Sequence, residues 1–542
     1  MELPKVSIAD WRAAVEKELA GKPFEKTLVQ QTPEGIAVQP LYLELPRSLP
    51  QRDPAGEPFR ICIRYGDQPV EQMISDVRDG ADAIWAPLDK LQLELMPRPE
   101  MAKIFFVLNG STPGSKGLEQ LIAQAARPGA PRFSLGLSPL DQDEAALAAA
   151  AKLVAARAPG SNAITVSTLE FHNAGAEPGF EVACALATSA HALRILLRAG
   201  MTAEQAAGQI SLRIAVGRDT FLELCKLRAV RACWRKVVTA FGSGTAPRAR
   251  VHAVCSERTL TGRDPWVNML RVTTQMFAAI LGGADLVTPQ ELDAAFGDPS
   301  PQGVRMARNT GLVLREESLL GRVADPAGGS YAFETLTDDL ARKAWEQFRE
   351  LEREGGIAKA IAAGSVAKRL EASWQERMQN IRKRKMPILG VSEFANLDEK
   401  LPQAKSEVAF HQESAPFEEL RSRAESRSTA PVAALLTLGE LSESRARVGF
   451  ASSFFAAGGI RSHETREISA FPIACLCGTD ERYAEEAADR VRALKAAGCK
   501  SVLVAGRPGV LEKSLREAGA DGFIFAGCDA VAILGSLLEV AS

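Results

Sequence analysis

The chain has 542 residues, which is too long for one ordinary hydrophobic core, so two or more domains are expected. Its 65 Lys and Arg residues nearly balance 67 Asp and Glu residues, so no excess charge favours contact with nucleic acid or an anionic membrane. Residues 1–21 lack the basic and apolar regions of a signal peptide, and we see no apolar run of membrane-spanning length. We therefore expect a cytoplasmic protein without nucleic-acid or membrane partners.

The nine cysteines are scattered along the chain, and none forms a C-x-x-C pair. Most lie in apolar runs, which indicates buried free thiols in a reducing compartment. Cys475 and Cys477 are expected on the same side of one strand, but two ligands do not make a zinc site. We therefore predict no metal site.

Residues 1–55 combine a short amphipathic helix around Trp11 with a hairpin whose turn is Pro33-Glu34-Gly35. This segment is too small to enclose a core, so we expect an arm that lies on another folded surface. From 56 to 390, strand-like runs alternate with helix-forming stretches and end in long helices. The eight strand candidates are 59–65, 81–88, 103–110, 132–140, 163–172, 210–217, 250–256 and 283–289.

Eight strand–helix units over this length favour an α/β fold of the (β/α)8 TIM-barrel type, with an open doubly wound sheet as the alternative. Residues 391–444 are polar and rich in Pro and Ser, which is typical of a linker. From 445 to 542 the strand–helix pattern returns, with RVGFA, PIACLCG, KSVLVAG and GFIFAG as strands. This pattern predicts a second, small flavodoxin-like α/β domain, without a glycine-rich dinucleotide or triphosphate motif.

Several stretches carry a family resemblance. Residues 264–356 and the helix motif LCKLRAVRACW resemble the methylmalonyl-CoA mutases, which belong to the coenzyme B12-dependent acyl-CoA mutases. Three further stretches are similar to the small subunits of that family, namely LVQQTPEGIAVQPLY, MPILGVSEFANL and FFAAGGI. The resemblance covers nearly the whole chain and implies a barrel followed by a cobalamin-binding-type domain.

Catalytic members of the family ligate cobalt with the histidine of a D-x-H-x-x-G motif, whose aspartate holds the imidazole ring. This chain has five histidines, so each can be tested. None has an aspartate two positions earlier; the residues there are Glu170, Ser189, Arg250, Ala409 and Arg461. We therefore predict no cofactor-binding residue in this chain and expect adenosylcobalamin on a large partner subunit.

The family's acyl-CoA contacts also differ here. The T-R-G-P-Y-like stretch is missing, and Arg64 and Tyr65 near its position are interpreted as structural. In the seventh strand, Arg250 and His252 match the family. Ala253 and Val254 replace hydrogen-bonding side chains, which leaves polar ligand groups unpaired. Glu257 replaces glycine, and its carboxylate would repel coenzyme A phosphates if it faced them.

A last candidate is His172, near the position of the family's substrate-polarising histidine. The stretch Phe171-His172-Asn173-Ala174-Gly175-Ala176 is two residues shorter between the histidine and A-G-A than in catalytic members. We take His172, Arg250 and His252 as remnants of a substrate site and predict no catalytic residue.

The resemblance thus implies a non-catalytic, stabilising small subunit in a heterodimer, with methylmalonyl-CoA and succinyl-CoA interconverted on the large subunit. Three alternatives stay open. The complex could use another acyl-CoA, such as isobutyryl- or ethylmalonyl-CoA. The chain could be a free-standing scaffold of the same fold, or could bind cobalamin without a protein histidine.

Overall fold

A computed structural model describes residues 6–46, 58–66, 68–88, 95, 98–109, 116–127, 130–245, 247–401 and 411–540. Within these residues, eight parallel strands close into a barrel, which confirms the TIM-barrel prediction over the open sheet. Two short strands, β1 (Gln30–Gln31) and β2 (Ala37–Val38), come first in the chain. The barrel strands are β3 (Arg60–Arg64), β4 (Ala83–Pro87), β5 (Phe105–Asn109), β6 (Phe133–Leu137), β7 (Asn162–Ser167), β8 (Ile210–Val216), β9 (Arg250–Cys255) and β10 (Leu286–Thr288).

Each barrel strand lies within a strand predicted from the sequence, apart from a one-residue earlier start of β7 at Asn162. The strand predicted at 163–172 ends early, because the chain turns into a short helix at Leu169. Alternate residues of each strand point inward, and Cys62, Ala83 and Trp85 belong to one cluster that fills the barrel interior. The barrel is therefore a packed core with its loops free to form a site at the carboxyl ends of the strands.

Helices surround the barrel and continue after it. Two helices, α1 (Ile8–Leu19) and α2 (Phe24–Leu28), precede the barrel in the chain. The helices of the barrel repeat are α3 (Val70–Arg78), α4 (Lys116–Ala125), α5 (Glu144–Arg157), α6 (Leu169–Asn173), α7 (Pro178–Arg198), α8 (Ala203–Gly208), α9 (Thr220–Ala240), α10 (Pro265–Leu281) and α11 (Pro301–Leu312). The helices that follow are α12 (Tyr331–Arg353), α13 (Ile357–Ala362) and α14 (Ser365–Arg382).

Helix α7 is long and apolar enough to cross a membrane by length and composition, with a mean hydropathy of 1.4, contrary to our expectation of no such run. However, 83% of that stretch is buried inside the protein. Its neighbours are α9 and α12, which cover it on the outside of the barrel. Burial of this helix on all sides explains why it lacks a polar face.

The amino-terminal segment lies outside the barrel. Its elements are α1 (Ile8–Leu19), α2 (Phe24–Leu28), β1 (Gln30–Gln31) and β2 (Ala37–Val38). The two strands pair in an antiparallel hairpin, and Glu34 at its turn accepts a 2.9 Å hydrogen bond from the amide of Gly179. Helix α1 has no buried residue, although a capping box at Ser7 and Asp10 stabilises its start. Residues 1–5 and 47–55 of the predicted arm lie outside the described residues.

The second domain is a five-stranded parallel sheet with the strand order 2-1-3-4-5, which confirms the flavodoxin-like fold. The sequence prediction of its first strand is wrong, because RVGFA (residues 447–451) forms part of a helix. The elements are α15 (Ala415–Glu425), β11 (Val432–Thr437), α16 (Leu441–Ala457), β12 (Arg461–Thr465), β13 (Ile473–Cys477), α17 (Asp480–Arg482), α18 (Ala488–Ala496), β14 (Ser501–Ala505), α19 (Glu512–Glu517), β15 (Gly522–Ile524) and α20 (Ala530–Val540).

The segment predicted as a linker, 391–444, therefore contains α15 and β11. Val391 and Ile388 pack in the core of the second domain together with Phe417. These apolar residues are buried against the helices that cover the sheet, so much of this segment is part of the domain. Residues 402–410 lie outside the described residues, so the linker prediction stays untested there.

Candidate functional site

The candidate site lies at the carboxyl ends of β7, β8 and β9, where His172 is enclosed by polar neighbours. Its Nδ1 lies 3.3 Å from Glu181 Oε2, and its Nε2 lies 2.8 Å from Ser256 Oγ. Because a carboxylate only accepts hydrogen bonds, Nδ1 carries the proton and Nε2 accepts from the serine. Burial, together with the positive charge of Arg258, lowers the pKa of His172 to about 3. The ring is neutral, and both of its nitrogens are already bonded.

Two buried carboxylates and a buried lysine extend this site. The ammonium of Lys226 donates to Glu181 Oε2 at 2.8 Å and pairs with Glu223 Oε2 at 2.5 Å. Burial disfavours the charge on Glu181, but the positive charge of Lys226 and the hydrogen bond to His172 together lower the pKa of this carboxyl. Burial raises the pKa of Glu223, which pairs with the same lysine. Lys226 thus holds together charges that would otherwise be buried alone.

A second ion cluster closes the mouth of the barrel from the side of the second domain. Glu413, just before α15, lies 3.2 Å from Arg258 Nε, 3.3 Å from Arg377 Nη1 and 3.7 Å from Arg218 Nη1. Its backbone amide also donates to the Arg258 carbonyl at 2.9 Å. Burial opposes its charge, but the guanidinium groups of Arg377 and Arg258 lower the pKa of Glu413 below its usual range. A segment that precedes the second domain is therefore held over the site.

The structure does not bring the three predicted remnants together. Arg250 lies at the amino end of β9, where it donates to Asn162 Oδ1 at 2.7 Å and to the Gly160 carbonyl at 3.0 Å. His252 points into the barrel, with Nε2 2.8 Å from Thr288 Oγ1. The side chains of Arg250 and His252 are therefore both hydrogen-bonded within the chain. Their role as contacts for an acyl-CoA stays a prediction.

Three other residues from the sequence comparison have structural partners. Tyr65 donates to Asp76 Oδ2 at 2.8 Å in the core. Glu257 accepts from Arg64 at 2.7 Å and from the Asn173 amide at 3.2 Å. The acidic side chain that replaces the family's glycine is thus part of an ion pair at the barrel mouth.

Sequence reasoning missed Glu181, Lys226 and Glu413. The first two gave a usable signal, because each is a charged residue inside an otherwise apolar helical run, GFEVACALA and TFLELCKLRA. Charged residues are almost never fully buried unless they are paired, so their position predicts internal partners. The burial of Glu413 could not be predicted, since this residue lies in a polar stretch that resembles a linker.

In the second domain, the loop after β11 does not offer a histidine ligand for the cobalt of a cobalamin. This loop, Leu438 to Glu440, carries no imidazole, and a capping box between Glu440 and Glu443 starts α16 there. Gly439 has a positive φ of 73°, and a Cβ there would meet the Glu443 and Arg482 side chains. His463 lies instead on the edge strand β12, against the ring of Phe471.

The neighbouring strand ends are bridged by two side chains of the chain itself. The Tyr483 hydroxyl lies 3.0 Å from the Leu476 carbonyl and 2.8 Å from the Ala505 carbonyl. Arg447 donates to the same Ala505 carbonyl and pairs with Asp480 at 2.8 Å. These bonds tie together the ends of β13 and β14. The residues present at this loop therefore do not fit a cofactor that takes a histidine as its cobalt ligand.

The cysteines do not supply a reactive group. All nine are free and buried, and burial raises the pKa of Cys62 to about 12. A protonated, enclosed thiol is a poor nucleophile. Among the residues that the structure describes, no group of three or more His, Cys, Asp or Glu could hold a metal ion.

One buried carboxyl at the mouth gives a testable pH dependence. Burial raises the pKa of Glu291, which follows β10, to about 7. Between the ordinary pKa and this value the folded chain binds more protons than the unfolded chain, so this group lowers stability as pH rises. We expect Glu291→Gln to leave stability unchanged below pH 4.5 and to raise it, by at most about 3 kcal/mol, at pH 8.

The measurement is urea unfolding of both proteins across pH 4 to 8, with the exposed Glu317→Gln as the matched control. His172 and His252, which are buried in neutral form, contribute equally to the pH dependence of stability in both proteins. Their contributions therefore cancel in the difference between the two unfolding free energies. A difference that does not grow with pH would contradict the assignment.

Comparison with known proteins places the chain in a family. The family described as methylmalonyl-CoA mutase matches residues 137–453. The chain is 34% identical to the methylmalonyl-CoA mutase small subunit of Streptomyces virginiae, over 99% of this chain and 97% of that protein. It is 32% identical to the small subunit of Propionibacterium freudenreichii subsp. shermanii, over 99% and 95%. A probable small subunit of Mycobacterium bovis is 39% identical, over 71% and 66%. The chain therefore belongs to the methylmalonyl-CoA mutase family, whose members named small subunits it matches over almost its whole length.

Proposed function

We propose that the chain is the non-catalytic, stabilising small subunit of an adenosylcobalamin-dependent methylmalonyl-CoA mutase heterodimer in the cytoplasm. The large subunit would bind the cofactor and interconvert methylmalonyl-CoA and succinyl-CoA. In such a pair, this chain supplies a folded surface to its partner and no reacting group. The observation that carries the proposal is the loop after β11, which has no imidazole and leads directly into a capped helix.

The barrel mouth supports the same conclusion. A catalytic acid or base must reach a substrate proton and have a pKa suited to its task. His172 has both ring nitrogens bonded and a pKa of about 3, so it can neither donate nor accept a proton near neutrality. Glu413 and its guanidinium partners occupy the space above this site. The polar groups at the mouth thus hold one another rather than a ligand.

The amino-terminal segment supports a role in assembly. Helix α1 has no buried residue, yet Trp11, Val15 and Leu19 form a half-buried stripe at helical spacing. Ile8 extends this stripe and is 56% exposed, and Val6, just before the helix, is 69% exposed. Apolar side chains on an exposed amphipathic helix are typical of a surface that packs against a partner. We propose that this arm contacts the large subunit.

Co-expression with the large subunit tests the proposal. We expect a stable 1:1 complex that isomerises methylmalonyl-CoA, and cobalamin bound at one site per heterodimer. The large subunit alone should retain its catalytic residues but lose solubility or half-life. Failure of the two chains to co-purify would refute the stabilising role. Two cobalamins per heterodimer would refute the prediction that this chain binds no cofactor.

The arm gives a specific prediction for this complex. We expect Ile8→Asp to weaken the heterodimer about tenfold or more, because a charged side chain would replace buried apolar surface worth about 1.5–3 kcal/mol. Ala13→Asp, on the opposite exposed face of α1, is the matched control and should bind normally. Sedimentation or surface plasmon resonance measures the dissociation constant. Equal affinity of the two variants would exclude α1 from the interface.

A further inference from the structure

Arg213 lies at an unusual place in the barrel. It points inward from β8, and its guanidinium lies 4.1 Å from the centre of the Trp85 ring. Trp85 belongs to β4, the fourth strand away around the eight-stranded barrel, so the two side chains meet across its interior. Trp85 also packs edge-on against His252, with ring centres 5.3 Å apart. A charged side chain thus enters the barrel interior next to Trp85, which belongs to an apolar cluster that also includes Val107 and Val254.

The charge of Arg213 is not compensated. The residue is 7% exposed, and no ion pair or hydrogen bond of its side chain is found within the described residues. Its Nε and Nη2 are both enclosed and without a hydrogen-bond partner. Arg64 adds a like charge that acts on Arg213, and its guanidinium lies 4.7 Å from the same Trp85 ring. Two guanidinium groups therefore flank one indole, and only Arg64 has a carboxylate partner, Glu257.

Buried charges in proteins are paired, because an isolated ion loses its hydration without replacement. The Nε and Nη2 atoms of a guanidinium form a planar fork that matches the two oxygens of a carboxylate. We propose that the barrel interior binds a small monocarboxylate through this fork of Arg213, beside Trp85 and His252. One negative charge balances the single buried guanidinium, and the apolar neighbours suit a short hydrocarbon group.

The geometry also predicts how the ligand enters. Because Nε and Nη2 are enclosed, a carboxylate reaches them when the guanidinium moves off the indole face. Loss of that contact changes the surroundings of Trp85, so its fluorescence reports binding. This inference stands apart from the proposed role of the chain, since a silent subunit and an active one could each bind a carboxylate here.

The test titrates the full chain with acetate, inorganic phosphate and chloride at constant ionic strength. We expect acetate to raise the melting temperature by roughly 2 °C and to change tryptophan fluorescence, with little effect of chloride or phosphate. Arg213→Met should bind acetate at least about tenfold more weakly, and the surface variant Arg353→Met should bind like the parent. Trp85→Phe should keep the thermal response and lose the fluorescence response.

If Arg213→Met does not fold, Arg213→Lys keeps the positive charge without the fork, and we expect it to lose most of the acetate affinity. An acetate response that is the same in the parent and in these variants would overturn the site. A phosphate response as large as the acetate response, and equally dependent on Arg213, would overturn the assignment to a monocarboxylate.

Discussion

Replacement of Lys226 by methionine is expected to lower the free energy of unfolding of the barrel by about 3–5 kcal/mol. Methionine keeps the length of the side chain and removes its charge. Two carboxylates would then face each other inside the protein, since Glu181 Oε2 and Glu223 Oε2 both contact the lysine nitrogen. Urea unfolding followed by circular dichroism measures the change.

Two variants make this prediction specific. The exposed Lys368→Met removes the same charge from the surface of α14 and should change stability by less than about 0.5 kcal/mol. The triple variant with Glu181→Gln and Glu223→Gln added to Lys226→Met removes all three charges and should recover part of the loss. A Lys226→Met protein as stable as the parent would show that the ion cluster does not stabilise the barrel.

Replacement of Glu413 by glutamine is expected to release the second domain from the barrel mouth. The amide keeps the shape of the side chain but leaves the buried guanidinium groups of Arg258 and Arg377 without their shared carboxylate. Breaking a buried ion pair by removing one partner costs about 3–5 kcal/mol. We expect faster cleavage by proteases near residues 386–430 and a lower melting temperature.

Glu419→Gln, on the exposed side of α15, is the matched control for this variant and should be cut at the rate of the parent. Protease cleavage of the open form tracks the equilibrium between closed and open states when opening is fast. The ratio of cleavage rates therefore measures the contribution of Glu413. Equal rates for the two variants would mean that other contacts hold the domain in place.

The barrel could be predicted from the sequence because its strands are short β-rich runs separated by helical patterns. All eight strands lie where the sequence places them. The first strand of the second sheet could not be predicted in the same way. RVGFA has strand-forming residues, but it forms part of α16, in which Val448 and Ala451 are buried one turn apart. Tertiary packing decides between helix and strand for such a short apolar run.

The residues that surround the candidate site inside the protein also could not be predicted from the sequence. Spacing shows that His172 follows a strand, but not that Glu181 and Ser256 enclose its ring. The burial of Arg213 was even harder to predict, because a single arginine in a strand usually points to solvent. Its position opposite Trp85 depends on closure of the barrel, which sequence periodicity alone does not show.

We propose that this chain does not hold adenosylcobalamin, and an experiment on the isolated protein decides between the two possibilities. The full chain is mixed with the cofactor in the dark, passed through a gel-filtration column and examined by visible absorbance, then assayed with methylmalonyl-CoA. We predict a colourless protein fraction and no succinyl-CoA. A red protein that retains one cofactor per chain and isomerises the substrate by itself would show that this chain is a catalytic mutase subunit.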